Sequence, residues 1–199
     1  MIIVLVGASG SGKSTLQKII CKNYEMDTII SCTTRPARQG EVAGEDYYFV
    51  SDDIFEQAEK ERHFIETAVY NNWHYGIAKN CLKDNSVAVL TPSGLRRLTK
   101  YNNSLEEPYE IISFYIDVDQ RSRLIKLLQR GDDIMEAIRR SLSDVGQFDD
   151  VGNETTYVIK NKEFRFTPEQ MFIHLDRALE DYHLGIINKD YGGDDNESV

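Results

Sequence analysis

A glycine-rich segment near the start of the chain has the residue types and spacing of a phosphate-binding loop. Residues 7–14 read Gly-Ala-Ser-Gly-Ser-Gly-Lys-Ser and fit the pattern G-x-x-x-x-G-K-[ST]. Glycines let successive backbone N–H groups point at polyphosphate oxygens, Lys13 adds a cation, and Ser14 offers a hydroxyl to Mg²⁺. The alternative interpretation is a flexible Gly/Ser turn. It is less favoured, because such a turn would not require the strand-like run 2–6 before it or the helical pattern after it.

The segment therefore predicts a nucleoside-triphosphate site at the N-terminal end of a helix, whose dipole favours anions. The predicted ATP-binding residues are Gly7, Ala8, Ser9, Gly10, Ser11, Gly12, Lys13, Ser14 and Thr15.

A second group of cationic residues follows the second predicted strand. Arg35 and Arg38 are three residues apart, which lets both guanidinium groups donate bidentate hydrogen bonds to one phosphate. An isolated pair of this kind is usually a solvated surface pair. Tyr47 and Tyr75, further along the chain, supply phenol groups that can complete a phosphate shell. The order of these residues favours a second phosphate site.

The elements that must hold these residues alternate between strand and helix. Apolar runs at 2–6, 28–31, 86–90, 111–117 and 157–159 predict the strands of a parallel sheet, and hence an α/β fold. Helix starts are predicted at Thr91-Pro92, at Asp119 and at Thr167-Pro168, the last with a capping box. Ser51 is predicted to cap a short helix over 52–60.

Composition limits the classes of partner. The 199 residues fit one domain, and a formal net charge of −10 argues against nucleic acid or an anionic membrane as the main partner. The three cysteines lack metal-site spacing, and no apolar run reaches the length of a membrane span, so we expect a protein of the reducing cytoplasm. The four histidines lack ligand spacing.

Several segments taken together resemble the guanylate kinase family. They are GASGSGKST, SCTTRPARQGEVAGEDYYFVS, FIETAVYNNWHYG, RGDDIMEAIRRSLSD and YVIKN, which cover most of residues 2–161. The resemblance implies a three-layer P-loop NTPase fold and ATP-dependent phosphorylation of GMP or dGMP with Mg²⁺. It also implies a core (1–34, 80–130 and 153–190), an NMP-binding subdomain (35–79) and a helical lid (131–152), with an acidic tail at 191–199 and a monomeric or homodimeric state.

The resemblance also assigns the second substrate. Arg35, Arg38, Tyr47 and Tyr75 would meet the monophosphate, while Ser31 and Glu66 would meet the base. Independent chemistry supports Glu66, because guanine presents N1–H and N2–H₂ as adjacent donors to one carboxylate, whereas adenine N1 is an acceptor.

The expected catalytic groups are cations, since the acceptor is already an anionic phosphate and the reaction depends on positioning and electrostatics. The candidates are Lys13, Arg35, Arg38, Arg130, Arg139 and Arg140, and the metal contact is Ser14.

The chain departs from the family pattern at a few positions. An acidic pair usual after the strand 86–90 is replaced around Thr91 and Ser93, Ile77 stands where the family places a Ser or Thr, and the usual lid arginine aligns with Ser141. Arg139 and Arg140 are its candidate substitutes. Five other basic residues, Arg96, Arg97, Arg121, Arg123 and Lys126, are interpreted as helix surfaces.

Two other functions are compatible with these residues. A nucleoside-monophosphate kinase of altered base choice follows from the departures at residues 77, 91 and 93. A non-catalytic guanylate-kinase-like module would typically have an eroded phosphate loop, whereas Lys13 and Ser14 are present here. A GTPase or generic ATPase is less favoured, because no Walker-B acid follows the strand 86–90.

Overall fold

The computed structural model describes residues 1–38, 40–70 and 72–193, which form two sheets and the helices around them. The strands are β1 (Ile2–Val6), β2 (Asp27–Thr28), β3 (Cys32–Thr33), β4 (Tyr48–Phe49), β5 (Phe64–Tyr70), β6 (Trp73–Ala78), β7 (Ser86–Leu90), β8 (Ile111–Asp117), β9 (Tyr157–Lys160) and β10 (Asp190–Tyr191). The helices are α1 (Lys13–Tyr24), α2 (Asp52–Lys60), α3 (Pro92–Asn102), α4 (Gln120–Gln129), α5 (Ile134–Ser143), α6 (Val151–Glu154) and α7 (Pro168–His183).

The larger sheet is parallel, as predicted. Among the described residues it has six strands in the order β10-β9-β8-β1-β7-β2, with β1 at the centre between β7 and β8. Because β1 is fully buried, every one of its side chains is apolar. Ile3 and Leu5 pack in one cluster with α1 and α7, and Ile2, Val4 and Val6 pack in another with α3. The molecule thus has three layers, helix–sheet–helix, which is the predicted fold class.

The smaller sheet carries the residues of the predicted second substrate site. Within the described residues it has four strands in the order β4-β3-β6-β5, and β6 pairs antiparallel with both β3 and β5. Phe55 of α2 is fully buried and stacks on Phe64 of β5, with ring centroids 4.5 Å apart. This contact joins the helix to the sheet.

The helix starts follow the predicted capping chemistry. Ser51, Thr91 and Asp119 each accept a hydrogen bond from a backbone N–H in the first turn of α2, α3 and α4, respectively. Thr167 and Gln170 form the complete capping box of α7. These four predictions are confirmed.

Two predicted boundaries differ from the structure. The run 28–31 was expected to be one strand, but β2 ends at Thr28 in the large sheet and the chain crosses to the small sheet at Cys32. The chain past residue 190 was expected to be a loose tail, but Tyr191 is 4 % exposed in β10 and donates a hydrogen bond to Asp181. Residues 194–199 of the predicted tail lie outside the described residues.

Candidate active site

The glycine-rich loop connects the carboxyl end of β1 to α1, at the edge of the sheet where parallel α/β folds bind ligands. Gly10 has φ +80°, and a Cβ there would lie 2.9 Å from the carbonyl oxygen of Arg123. Both the left-handed backbone and the close contact with α4 therefore require glycine. Gly12 caps α1 with φ 93°.

Lys13 folds back over this loop. Its Nζ donates hydrogen bonds to the carbonyl oxygen of Ala8 at 2.8 Å and to Ser11 Oγ at 3.3 Å. Burial lowers the pKa of Lys13 to about 7; Asp144 opposes the change, and the charges of Arg140 and Arg123 add to it. An arriving polyphosphate would supply the anionic partner that this ammonium group needs.

A cleft of about 710 Å³ runs from the loop towards the small sheet and the segment around α5. It brings together most of the predicted site residues. Those that line it are Gly7, Ser9, Gly10, Gly12, Lys13, Ser14, Thr15, Ser31, Arg35, Arg38, Tyr47, Glu66, Tyr75, Arg130 and Arg140. Ala8, Ser11 and Arg139 were predicted as site residues but are not among the lining residues. Ala8 and Ser11 instead hold Lys13 through the contacts just described.

The two arginines of the predicted phosphate site are organised by one carboxylate. Arg35 is 3 % exposed, and its Nη2 lies 2.7 Å from Glu41 Oε1. The backbone N–H of Arg38 donates to Glu41 Oε2 at 2.7 Å. The Arg35 guanidinium lies 5.3 Å from the centre of the Tyr47 ring, a cation–π distance. Glu41 was not predicted as a site residue, although it lies within the segment SCTTRPARQGEVAGEDYYFVS.

Glu66 lines the same cleft and is buried without a complete set of partners. It is 8 % exposed, and its Oε2 has no hydrogen-bond partner among the described residues. Burial raises the pKa of Glu66, partly opposed by the charge of Arg97. A buried carboxylate oxygen without a donor needs an explanation, and a ligand that donates to it supplies one.

Ser31, Thr91 and Ser93 line the same cleft as Glu66. The hydroxyls of Thr91 and Ser93 lie 3.0 Å apart, and Thr91 also caps α3. Ile77 is 1 % exposed and packs in the cluster that contains Leu95 and Leu98. It is not a lining residue, so its apolar side chain serves the core.

The two candidate lid arginines differ in where they point. Arg140 lines the cleft, and its Nη1 lies 3.1 Å from Asp132 Oδ2. Asp132 also receives two hydrogen bonds from Arg130, at 2.8 and 2.5 Å. Arg139 instead forms two 2.8 Å hydrogen bonds with Glu136, one turn earlier on α5.

The prediction for Arg123 was wrong. It was interpreted as part of a helix surface, but it is 8 % exposed, and its guanidinium donates to the carbonyl oxygens of Val118 and Ser9 at 3.0 and 3.1 Å. Its Nη1 also lies 3.3 Å from Asp144 Oδ2, which accepts the backbone N–H of Ser9 at 2.7 Å. Nothing in the local sequence pattern indicates the contacts of Arg123 and Asp144 with Ser9, because they join residues more than a hundred positions apart.

The residues present fit a magnesium ion that arrives with a nucleotide. No group of three or more His, Cys, Asp or Glu side chains in the described residues could hold a metal by itself. Mg²⁺ commonly keeps several waters and binds through substrate phosphates and few protein ligands. Ser14, exposed in the cleft beside Lys13, is the hydroxyl suited to that arrangement.

No helix in the described part of the chain combines the length and apolar character of a membrane span.

The parallel sheet with a phosphate loop after its central strand defines the chain as a P-loop protein of the NTPase fold class. The guanylate kinase family model matches residues 1–182, and the chain belongs to the guanylate kinase family. A guanylate kinase of Mycoplasma genitalium is 33 % identical over 178 residues, which are 85 % of this chain and 72 % of that protein. One from Nostoc sp. is 32 % identical over 170 residues, which are 82 % of this chain and 83 % of the relative.

A solved structure supports the fold. The crystal structure of guanylate kinase from Anaplasma phagocytophilum superposes with a TM-score of 0.64 at 21 % identity, covering 92 % of this chain and 85 % of the other.

Proposed function

We propose that this chain transfers the terminal phosphoryl group of ATP to GMP or dGMP, giving ADP and GDP or dGDP. The observation that supports this most directly is the content of one cleft. The phosphate loop, two arginines organised by Glu41, and a buried, incompletely partnered carboxylate all line this cleft. Family membership supports the same reaction.

The reaction needs no general base, because the acceptor oxygen of a nucleoside monophosphate is already anionic. The task is to hold two polyanions in line and to neutralise the charge of the transferring group. We assign the donor phosphates to the loop and Lys13, and the acceptor phosphate to Arg35, Arg38, Tyr47 and Tyr75. Mg²⁺ would neutralise donor phosphate charge, with the Ser14 hydroxyl as the protein contact.

Glu66 is assigned to the guanine edge. An ionised carboxylate accepts from both N1–H and N2–H₂, so guanine would complete the partners of its buried oxygens. Adenine would place an acceptor opposite the carboxylate and leave that charge unpaired, which disfavours AMP.

We assign Arg140, and not Arg139, as the lid arginine. It would substitute for the family arginine that aligns with Ser141 in this chain. Arg140 lines the cleft and is held beside Arg130 by Asp132, whereas Arg139 is engaged by Glu136 outside the lining residues. We also infer that residues 35–79 and 131–152 act as the NMP-binding subdomain and the lid, and that the enzyme serves purine nucleotide metabolism in the cytoplasm.

The test is a coupled assay of ADP release with ATP–Mg²⁺ and each of GMP, dGMP, AMP, CMP and UMP. We expect turnover with GMP and dGMP and at least tenfold lower kcat/KM with the others. Activity greatest with a pyrimidine or adenine nucleotide would contradict the assignment of Glu66. Nucleotide binding without turnover would instead indicate a non-catalytic module.

A further inference from the structure

Asp144 places a carboxylate directly on the phosphate loop. It is the C-terminal cap residue of α5, and its side chain is 9 % exposed. Its Oδ2 accepts the backbone N–H of Ser9 at 2.7 Å and lies 3.3 Å from Arg123 Nη1. Both Asp144 and Ser9 line the cleft.

The donors that Asp144 uses are those that suit a phosphate oxygen. Inward backbone N–H groups of a P-loop hold polyphosphates, and a carboxylate has the same negative charge and the same acceptor chemistry. Asp144 is also close enough to Lys13 to oppose the lowering of the Lys13 pKa. Two anions on the same donors would repel each other strongly in a partly buried site.

The residues around Asp144 would stay in place if its side chain moved away from Ser9. Arg123 stays anchored by the carbonyl oxygens of Val118 and Ser9, so it remains beside the loop as a cation. Asp144, at the end of α5, is carried by the same helix as Arg140. Removing Asp144 from Ser9 would therefore alter the position of the helix that carries Arg140.

Resting on the proposed function, we propose that Asp144 is a further residue of the ATP site that competes with the nucleotide's phosphates. In the unliganded enzyme its carboxylate binds the Ser9 N–H and holds the end of α5 on the loop. The polyphosphate of ATP displaces it and releases the helix. Asp144 thereby lowers the affinity for ATP and couples nucleotide binding to movement of α5.

Isothermal titration calorimetry tests the competition, with ATP–Mg²⁺ and inorganic tripolyphosphate as ligands. Asp144→Asn keeps an oxygen that can accept from Ser9 and Arg123 but removes the charge. We expect Asp144→Asn to bind both ligands about threefold to tenfold more tightly than the unsubstituted enzyme. Asp150→Asn is the matched control, because Asp150 is exposed and its side chain makes no cap hydrogen bond.

Hydrogen exchange of the Ser9 amide tests the contact itself. In the unliganded enzyme, Asp144→Ala should increase the exchange rate of this amide at least tenfold, and Asp144→Asn should change it less. With saturating tripolyphosphate, the unsubstituted enzyme and Asp144→Ala should exchange alike.

Unchanged or weaker binding by Asp144→Asn, while the unsubstituted enzyme binds ATP, would overturn the competition and leave the proposed function intact. Equal exchange of the Ser9 amide in all unliganded variants would also overturn it. Failure of the unsubstituted enzyme to bind ATP would overturn the proposed function together with this inference.

Discussion

Lys13 shows how the unliganded site prepares for a polyanion. Its buried ammonium group donates to one backbone oxygen and one hydroxyl oxygen, and it lies near Asp144 as well as near the cations Arg140 and Arg123. Its pKa of about 7 means that near neutral pH the lysine is only partly charged. Phosphate oxygens would reverse this balance, because an opposite charge stabilises the protonated form.

We predict that ATP binding at pH 8 is accompanied by uptake of a proton by Lys13. With a pKa near 7 the free lysine is mostly neutral at pH 8, and in the complex it is charged, so uptake should approach about 0.9 proton and fall towards pH 6. Calorimetry of ATP–Mg²⁺ binding in buffers of different ionisation enthalpy measures this number. Lys126→Met, which removes a different cation that lines the cleft, should retain the uptake. Binding without proton uptake at pH 8 would contradict the prediction.

Glu66 gives a second prediction, in which activity and stability change in opposite directions. Glu66→Gln should lower kcat/KM for GMP about 10- to 100-fold, because a charge-assisted pair of hydrogen bonds to guanine is lost. The unliganded variant should be at least as stable as the unsubstituted enzyme at neutral pH, because a buried charge with an unpartnered oxygen is removed.

The pH dependence of stability follows from the sign of the shift. Since the folded-state pKa of Glu66 is raised, the folded protein binds this proton more tightly, and its contribution to stability is lost as the pH rises from about 4.5 through the folded pKa. Urea unfolding at several pH values should show this loss reduced in Glu66→Gln. Glu59→Gln, at an exposed position on α2, is the matched control. A stability loss at pH 7 comparable with the activity loss would show that Glu66 is structural.

Helix α5 is the element on which two adjacent arginines are assigned different roles. Arg140→Ala should reduce kcat about 10²- to 10³-fold, because a cation facing the transferring group is lost. Arg139→Ala removes the same charge one residue away and should change kcat by no more than a few fold. Steady-state kinetics at saturating ATP and GMP distinguish the two. A larger loss in Arg139→Ala would reverse the assignment.

Strand β10 covers one edge of the large sheet with only two residues, yet it carries a well-packed aromatic. The Tyr191 ring lies 5.6 Å from that of Tyr157, and its hydroxyl lies 2.6 Å from Asp181 Oδ2. Tyr191→Ala should lower the free energy of unfolding by about 2–4 kcal/mol, as for other buried aromatics. Urea titration measures the change. Ile187→Ala, at a fully exposed side chain, should change it by less than about 0.5 kcal/mol.

The elements that could be predicted from sequence are those with local signals. The apolar runs of β1, β7 and β8 and the caps Ser51 and Thr167 depend on residues close in sequence, and the structure confirms them. Strand β10 has no such signal, because two residues cannot show a period and their partner is fixed by the fold.

The site residues likewise divide into those with a local sequence signal and those without one. The phosphate loop and the segment around Arg35 have patterns that can be read directly. Contacts such as Arg123 with Ser9, or Asp144 with Ser9, join residues distant in sequence, and charge and helical position alone suggested a solvated surface for Arg123.

In the molecule as a whole, carboxylates near the cleft pair with arginines of the predicted monophosphate site and with the further catalytic arginines Arg130 and Arg140. Glu136 lies 3.7 Å from Arg38, and Asp132 contacts both Arg130 and Arg140. Because Glu136 and Arg140 lie on the same helix, a ligand that moves α5 to engage Arg140 would also separate Glu136 from Arg38 and free that cation. The first ligand then bears the free-energy cost of separating both sets of ion pairs, so the second ligand binds with a smaller cost.

We therefore predict that a non-hydrolysable ATP analogue and GMP together raise the melting temperature by more than the sum of their separate effects. Differential scanning fluorimetry with each ligand alone and with both, at fixed concentrations, measures the excess. Glu136→Gln, which weakens the contact with Arg38, should reduce it. Strictly additive shifts would show that the two sites open independently.

The pairing of the cleft arginines affects how well small anions can compete with nucleotides for this site. Each of the four arginines that line the described cleft, Arg35, Arg38, Arg130 and Arg140, already has a carboxylate partner. The carboxylates of the protein therefore act as intramolecular counter-ions of these arginines, at a high local concentration. Chloride or inorganic phosphate offers too few contacts to replace them, so such small anions should be weak inhibitors. A nucleotide that engages several groups at once can complete the exchange.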